Sequence, residues 1–379
     1  MGRAGSSRLT ELLALFLKLG LVGFGGPAAH VAMMEDEVVR RRGWLSRERF
    51  LDLLAATQLI PGPNSTELAI HVGHQRAGWA GLLVAGAAFI LPAFVTVLAC
   101  AWAYVRFGAL PASAGLLYGV KPVVIAVVVQ ALVGLGRTAT RTRAIAAVGA
   151  ASLIAAAAGV HELLVLLLAG LALALPRLAA RRPLASARAL ALVPFAAAAG
   201  SAASAAPFGL APLFLFFLKV GSVLFGSGYV LLAFLRADLV ERWGWLSEGQ
   251  LLDAVAVGQV TPGPVFTTAT FIGYVLAGAP GAVVATLGIF LPAFVFVAVS
   301  GPLVPRLRRS PVAGAFLDGV SVAGVALMAL VTVQLARAAI VDLETLLLSL
   351  VSALLLVRFR VNSAWLVLGG ALVGLGLRG

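Results

Sequence analysis

The sequence predicts an all-α polytopic membrane protein, made of two homologous, inverted-topology halves with broken, re-entrant helical hairpins. Three observations predict it: an apolar content beyond what a soluble fold hides, a long internal repeat, and matching Pro-Gly-Pro triplets inside apolar stretches. Hydrophobic residues make up 61% of the 379-residue chain and charged residues only 11%, an excess of apolar surface that calls for lipid. The stretches from Trp79 to Val105, Ala114 to Gly136 and Pro280 to Val304 are each long enough for a hydrocarbon core of about 30 Å. They are continuous and do not alternate, which selects helices over barrel strands.

The net charge of +13 sits in arginines of short loops, with no basic stripe interleaved with aromatics, so nucleic-acid binding is not indicated. Cys100 is the single cysteine, which excludes an intramolecular disulfide and a thiolate metal cluster. No cofactor or metal is implied; His71 and His74 lie one turn apart but lack a third ligand. The first twenty residues have the outline of a signal peptide, yet Lys18 interrupts the apolar run and the segment recurs after residue 210, so it is read as mature protein.

The repeat runs in order. "FLKLGLVGFGG" (16 to 26) returns as "FLKVGSVLFGS" (217 to 227), "GWLS" at 43 returns at 244, "QLIPGP" (58 to 63) returns as "QVTPGP" (259 to 264), and "LPAFV" at 91 returns at 291. Such duplication is the pattern of transporters built from repeats. It divides the chain into residues 1–176, a basic loop with a linking span at 177–208, and residues 209–379.

Each element then follows in turn. Residues 9–35 and 47–77 form two hairpins that enter and leave on one side, followed by spans near 79–105, 114–136, 143–159, 161–176 and 189–206. Hairpins at 210–235 and 248–277 and spans near 280–304, 312–336, 339–357 and 361–377 complete nine crossings. This arrangement puts twenty arginines inside and five outside, as the positive-inside rule requires, and it inverts the second half relative to the first.

All 25 arginines fall in loops, so the remaining three of the 28 basic residues are the lysines Lys18, Lys121 and Lys219, all within membrane segments. Lys18 and Lys219 are repeat partners, and an intramembrane charge is a functional candidate by default; pairing of Lys18 with Glu11 is the structural alternative. Lys121, whose counterpart is Ser321, is expected either to pair with Asp318 or to line an ion pathway.

The triplets Pro61-Gly62-Pro63 and Pro262-Gly263-Pro264 break the backbone, because proline lacks an N–H and clashes with the preceding turn. A helix starting after each one, with proline at its first position, offers amide donors and partial positive charge to an anion. Asn64, Ser65, Thr66, Thr267 and Thr268 add donors or caps, and Gln58 and Gln259 precede the breaks at matched positions. Asp52 and Asp253 are expected to cap or pair near the hairpin mouths. Glu67 has Thr268 as its counterpart, which makes it a proton-carrier candidate, with pairing to Arg76 or Lys18 as the competing expectation. Gly25, Gly26 and Gly226, within the FGG and FGS triplets, serve close backbone approach.

"NST" at 64 to 66 lies too deep to be a glycosylation site, and "GLGLRG" at 374 to 379 has no βαβ unit around it. HExxH, GxSxG and P-loop motifs are absent, so neither an enzyme nor an ATP-driven pump is suggested; an intramembrane enzyme acting on a lipid phosphate is the distant alternative.

The ordered FGG, PGP and LPAF blocks, occurring twice, resemble those of the chromate ion transporter family, and the resemblance covers nearly the whole chain. It implies export of chromate through the bacterial plasma membrane as a resistance function, with sulfate as analogue; uptake of sulfate by cation symport is the alternative. A homodimer in the lipid bilayer is compatible with it. Gly228 at the position of Pro27, Ser227 at Gly26 and Val265 at Asn64 depart from the first half and speak against a symmetric site. An inside-negative potential favours exit of a dianion by about 4.6 kcal/mol per 100 mV.

Overall fold

The computed structural model describes residues 2–23, 26–108, 111–179, 208–225, 230–308, 310–359 and 361–378. The expected span at 189–206 and the glycines Gly25 and Gly226 lie outside the described residues.

Fourteen α-helices and no β-strand are found among the described residues. The first half contains α1 (Gly2–Val22), α2 (Gly26–Glu35), α3 (Arg47–Thr57), α4 (Asn64–Phe107), α5 (Pro111–Ala139), α6 (Arg143–Ala157) and α7 (Glu162–Ala179). The second repeats them as α8 (Leu210–Val223), α9 (Leu231–Leu235), α10 (Glu248–Val260), α11 (Thr268–Arg308), α12 (Pro311–Ala339), α13 (Leu343–Phe359) and α14 (Ser363–Arg378). Five of these helices, α4, α5, α7, α11 and α12, contain stretches long and apolar enough to cross a membrane. The expected spans at 143–159, 339–357 and 361–377 are shorter helices, at 143–157, 343–359 and 363–378.

Local chemistry explains the repeated motifs. In "GWLS", Gly43 (φ 59°) and Gly244 (φ 63°) take left-handed backbone, which glycine adopts at little cost. The serine then caps the next helix: Ser46 Oγ accepts from the Arg49 amide at 3.2 Å. Ser247 and Gln250 form a complete capping box, satisfying amides that have no partner within the helix.

Helix α4 is itself a hairpin. Ala77 and Gly78 leave helical geometry, and beyond them the chain folds back so that Gly73 meets Gly81 and Ala85, and Ile70 meets Gly86. In α11 the same turn occurs at Ala277 and Gly278, and Thr270 bonds Thr286 at 2.7 Å across it. The short arm from Asn64 to Arg76, about 20 Å long, therefore starts level with the middle of the long arm, 79–107. The break after α3 is held at that depth.

The halves exchange helices. α12 packs on α6 and α7 of the first half, while α5 packs on α13 and α14 of the second. Close approach is possible because Gly115 and Gly119 on α5 face Gly370 and Gly374 on α14, two Gly-xxx-Gly pairs in backbone contact. Gly319 on α12 meets Ala169 and Gly170 on α7 in the corresponding place. At the centre, the Gly62 amide donates to Leu224 O at 2.8 Å and the Gly263 amide to Gly23 O at 2.9 Å. These are the same bond made twice, in opposite directions, as in an isologous interface.

Candidate transport site

Both PGP breaks stand against the LPAF segment of the opposite half. A Cβ on Gly62 would lie 3.6 Å from Ala293 Cβ, and one on Gly263 would lie 2.6 Å from Ala93 Cβ. Gly62 (φ 139°) and Gly263 (φ 96°) both have backbone that disfavours side chains. Their amides, expected to serve an anion, are engaged with Leu224 and Gly23.

The prolines sit one position earlier than expected. Pro63 is the residue before the first turn of α4, with φ −78° and ψ 99°, and Pro264 precedes a short 3₁₀ turn, Val265–Thr267. The α4 start has no side-chain cap, so helix geometry leaves the amides of Asn64, Ser65 and Thr66 without intrahelical acceptors. The Asn64 Oδ1 and Thr66 Oγ1 atoms are likewise buried without partners. In the second half Val265 stands at the position of Asn64, and the threonines at the positions of Thr66 and Glu67 are committed: Thr267 donates to Pro264 O at 2.7 Å and Thr268 to Val265 O at 2.8 Å. Only the first break thus keeps free polar groups among the side chains compared here.

A cavity of about 510 Å³ opens at that first break. Gln58 and Asn64 reach it from the break, Arg141 and Thr138 from the end of α5 and its connection to α6, and Asp318 and Ser321 from α12. Its lining includes neither Lys18 nor Lys219. Arg141 is the cation there, a residue that sequence reasoning counted only as a topology marker.

At the corresponding place in the other half the side chains pair with one another. Asp318 and Ser321 have Tyr118 and Lys121 as counterparts. Lys121 Nζ lies 3.2 Å from Asp253 Oδ1, an ion pair without hydrogen-bond alignment, and Tyr104 donates to Asp253 Oδ2 at 2.9 Å. The expected Lys121–Asp318 pair is thereby corrected: Asp318 is exposed in the cavity, and α10 brings Asp253 to Lys121 instead. Tyr118 is shared between Asp342 at 2.6 Å and Glu344 at 2.9 Å, and Arg378 approaches Asp342 at 3.2 Å. Asp342, in the connection before α13, has its carboxyl held down at about 2 by the Tyr118 hydroxyl and the Thr345 amide. Tyr104 carried no repeat signal, because its partner comes from the other half.

The matched lysines form matched ion pairs. Lys18 binds Glu37 at 2.7 Å and Lys219 binds Asp238 at 2.5 Å. Both carboxylates lie in π-helical turns, Asp36–Arg41 and Arg236–Arg242, a distortion that often marks functional positions. The Lys18 ammonium holds the Glu37 carboxyl below its usual range. Arg42 adds a second contact to Glu37 at 3.3 Å, and Arg242 bonds Asp238. Glu11, the partner considered for Lys18, binds Arg76 at 2.8 Å. Glu67 is therefore paired with neither Arg76 nor Lys18; it is fully buried, with both carboxylate oxygens unpartnered. Beside it, His30 links Ser65 Oγ (3.3 Å) to Gly23 O (2.8 Å). Asp52, on α3, is half-buried, as is Gln259 at the second break; Gly26 opens α2 with φ 77°.

Two repeated halves, helices fit to span a bilayer, and paired helix breaks, one of them beside a polar cavity, are the architecture of a membrane transporter. The chromate transporter family model matches twice, over residues 10–174 and 211–375. The chain is 36% identical over 371 residues to the chromate transport protein of Cupriavidus metallidurans, covering 97% of this chain and 92% of that one. It is 35% identical over 353 residues to the probable chromate transport protein of Synechococcus elongatus, covering 91% and 88%. The chromate transport protein of Pseudomonas aeruginosa is 36% identical over 340 residues, covering 86% and 81%. No solved structure matches the chain significantly. The chain belongs to the chromate transporter family; it is a multi-pass membrane transporter and not an enzyme.

Proposed function

We propose that this protein is a secondary transporter that exports chromate, or a similar tetrahedral oxyanion such as sulfate, across a bacterial plasma membrane and so confers chromate resistance. The observation that carries the reading is the polar cavity at the first break. Gln58 and Asn64 of that break line it together with Arg141, while at the matching position in the other half Lys121 pairs with Asp253, Tyr104 bonds the same carboxylate and Tyr118 bonds Asp342.

In this reading residues 1–176 and 209–379 are repeats of opposite orientation joined by 177–208. The excess of arginine puts the α5–α6 connection, with Arg141, in the cytoplasm, so the cavity loads from inside. The anion meets the unpaired amides of Asn64, Ser65 and Thr66 at the positive end of α4, the side chains of Asn64 and Gln58, and the charge of Arg141. Lys18 and Lys219, each neutralised by a carboxylate, flank the path without entering the cavity. Opening of the opposite side requires parting Lys121 from Asp253 and forming the mirror-image contacts around Asp318. Each chain carries its own cavity, so the mechanism is the same in a monomer or a homodimer.

Purified protein in liposomes loaded with chromate, under imposed potential and pH, tests the proposal. Efflux from the cytoplasmic face driven by an inside-negative potential, lost in Asn64→Ala with Gln58→Ala, is expected. Net uptake driven by a cation gradient would overturn the direction and establish symport instead.

A further inference from the structure

Glu67 is 0% exposed and neither carboxylate oxygen has a hydrogen-bond partner. Its Oε1 lies against Gly62, the residue whose amide bridges to Leu224 of the other half. Helix α1 brings Glu11, held by Arg76, and Lys18, held by Glu37; α2 brings His30, held between Ser65 and Gly23. Helix α3 carries Arg49 and Asp52, and α11 presents apolar Ala293 at the level of Gly62. A carboxyl with no partner in such surroundings is strongly disfavoured as an ion.

An exit path lies on the same helix. Glu67, His71 and His74 share one face, at i, i+4 and i+7. Exposure rises along it, from 0% at Glu67 and 6% at His71 to a half-buried His74. His71 Nε2 is also without a partner. The counterpart of Glu67 is Thr268, bonded to Val265 O, so a chain has one such carboxyl at its paired breaks.

We infer that Glu67 is the proton-binding residue of the transport cycle, protonated while packed on Gly62 and deprotonated along the His71–His74 face. The inference rests on the proposed anion export and names its coupling ion. In the state described here the protonated carboxyl lies flat against the Gly62 junction. Loss of the proton leaves a charge that needs water, which the packed junction does not provide. Proton occupancy is thereby linked to the contact between the halves, and one proton enters as the anion leaves.

Two measurements decide it. In chromate-loaded liposomes at zero potential, the chromate gradient that wild-type protein sustains at equilibrium is expected to change about tenfold per unit of imposed pH gradient, as tightly coupled exchange of one proton requires. In Glu67→Gln the residual flux should be the same with and without the gradient. Infrared difference spectra of purified protein between acid and alkaline buffer should show a protonated-carboxyl band that is missing in E67Q and displaced in Glu67→Asp. An unchanged pH response in E67Q, a sodium gradient that substitutes for the pH gradient, or an identical band in all three proteins would overturn the inference. If wild-type protein moves no chromate at all, the proposed function fails, and the infrared band alone then decides whether Glu67 carries a proton.

Discussion

Replacing Gly263 by alanine tests the central junction. Two costs add in the folded state. At φ 96° an L-residue carries backbone strain of about 1–3 kcal/mol. The new Cβ, 2.6 Å from Ala93 Cβ, overpacks the contact for about 1–3 kcal/mol more. The sum is about 2–6 kcal/mol, a large share of a domain's stability. Ala93→Gly removes the overlapping atom and should recover the packing cost while leaving the strain, a coupling of about 1–3 kcal/mol in a double-mutant cycle. The other junction supplies the control. A Cβ on Gly62 meets Ala293 at 3.6 Å, an ordinary contact, so Ala293→Gly should not rescue Gly62→Ala. Equilibrium unfolding in mixed detergent micelles, followed by circular dichroism, measures all six variants. Equal rescue at both junctions, or none at either, would refute the geometry.

Removing Lys121 with Lys121→Met should loosen the side held by the Lys121–Asp253 pair, raising the labelling of a cysteine placed at Leu117, and restoring the lysine should reverse it; unaltered labelling counts against the pair as a gate. Asp253→Asn leaves Lys121 without its charge partner and should destabilise the protein by about 3 kcal/mol, read from the same unfolding curves. The depressed Asp342 carboxyl adds stability that is present above its ordinary range and lost as pH falls through about 2. Tyr118→Phe should raise that titration and move the acid-induced loss to higher pH, checked by unfolding midpoints across pH. Swapping the charges, with Lys18→Glu and Glu37→Lys together, should restore more folded protein than either change alone, since the pair is 2.7 Å apart; size-exclusion yield measures it.

Much of the scaffold was legible because it rests on local chemistry. Proline and glycine announce breaks whatever surrounds them, so the triplets at 61–63 and 262–264 and the turns after Arg76 and Leu276 lie where the sequence reading placed them. The repeat paired "GWLS" at 43 with "GWLS" at 244, and the structure shows each leading into a helix. What could not be read is what a repeat conceals, namely which half a helix packs against. Lys121 was expected either to pair with Asp318 or to line an ion pathway, and α10 delivers Asp253 to it instead. The amides of Gly62 and Gly263 looked available to a ligand, and each is spent on a carbonyl of the other half, distant in the chain and next door in space. Glu67 was singled out for its lack of an acidic counterpart, but its isolation depended on Arg76 and Lys18 finding other partners.

The exchange of helices also sets the order of assembly. Ribosomes deliver α6 and α7 to the membrane well before α12, the helix they pack on, and α5 waits longer still, because its partners α13 and α14 follow α12 in the chain. The first half thus has no complete interior of its own while the second is being synthesised. Its Gly-xxx-Gly surfaces must remain in lipid or in the insertion machinery, and a chain truncated after the first half would present them to another copy of itself.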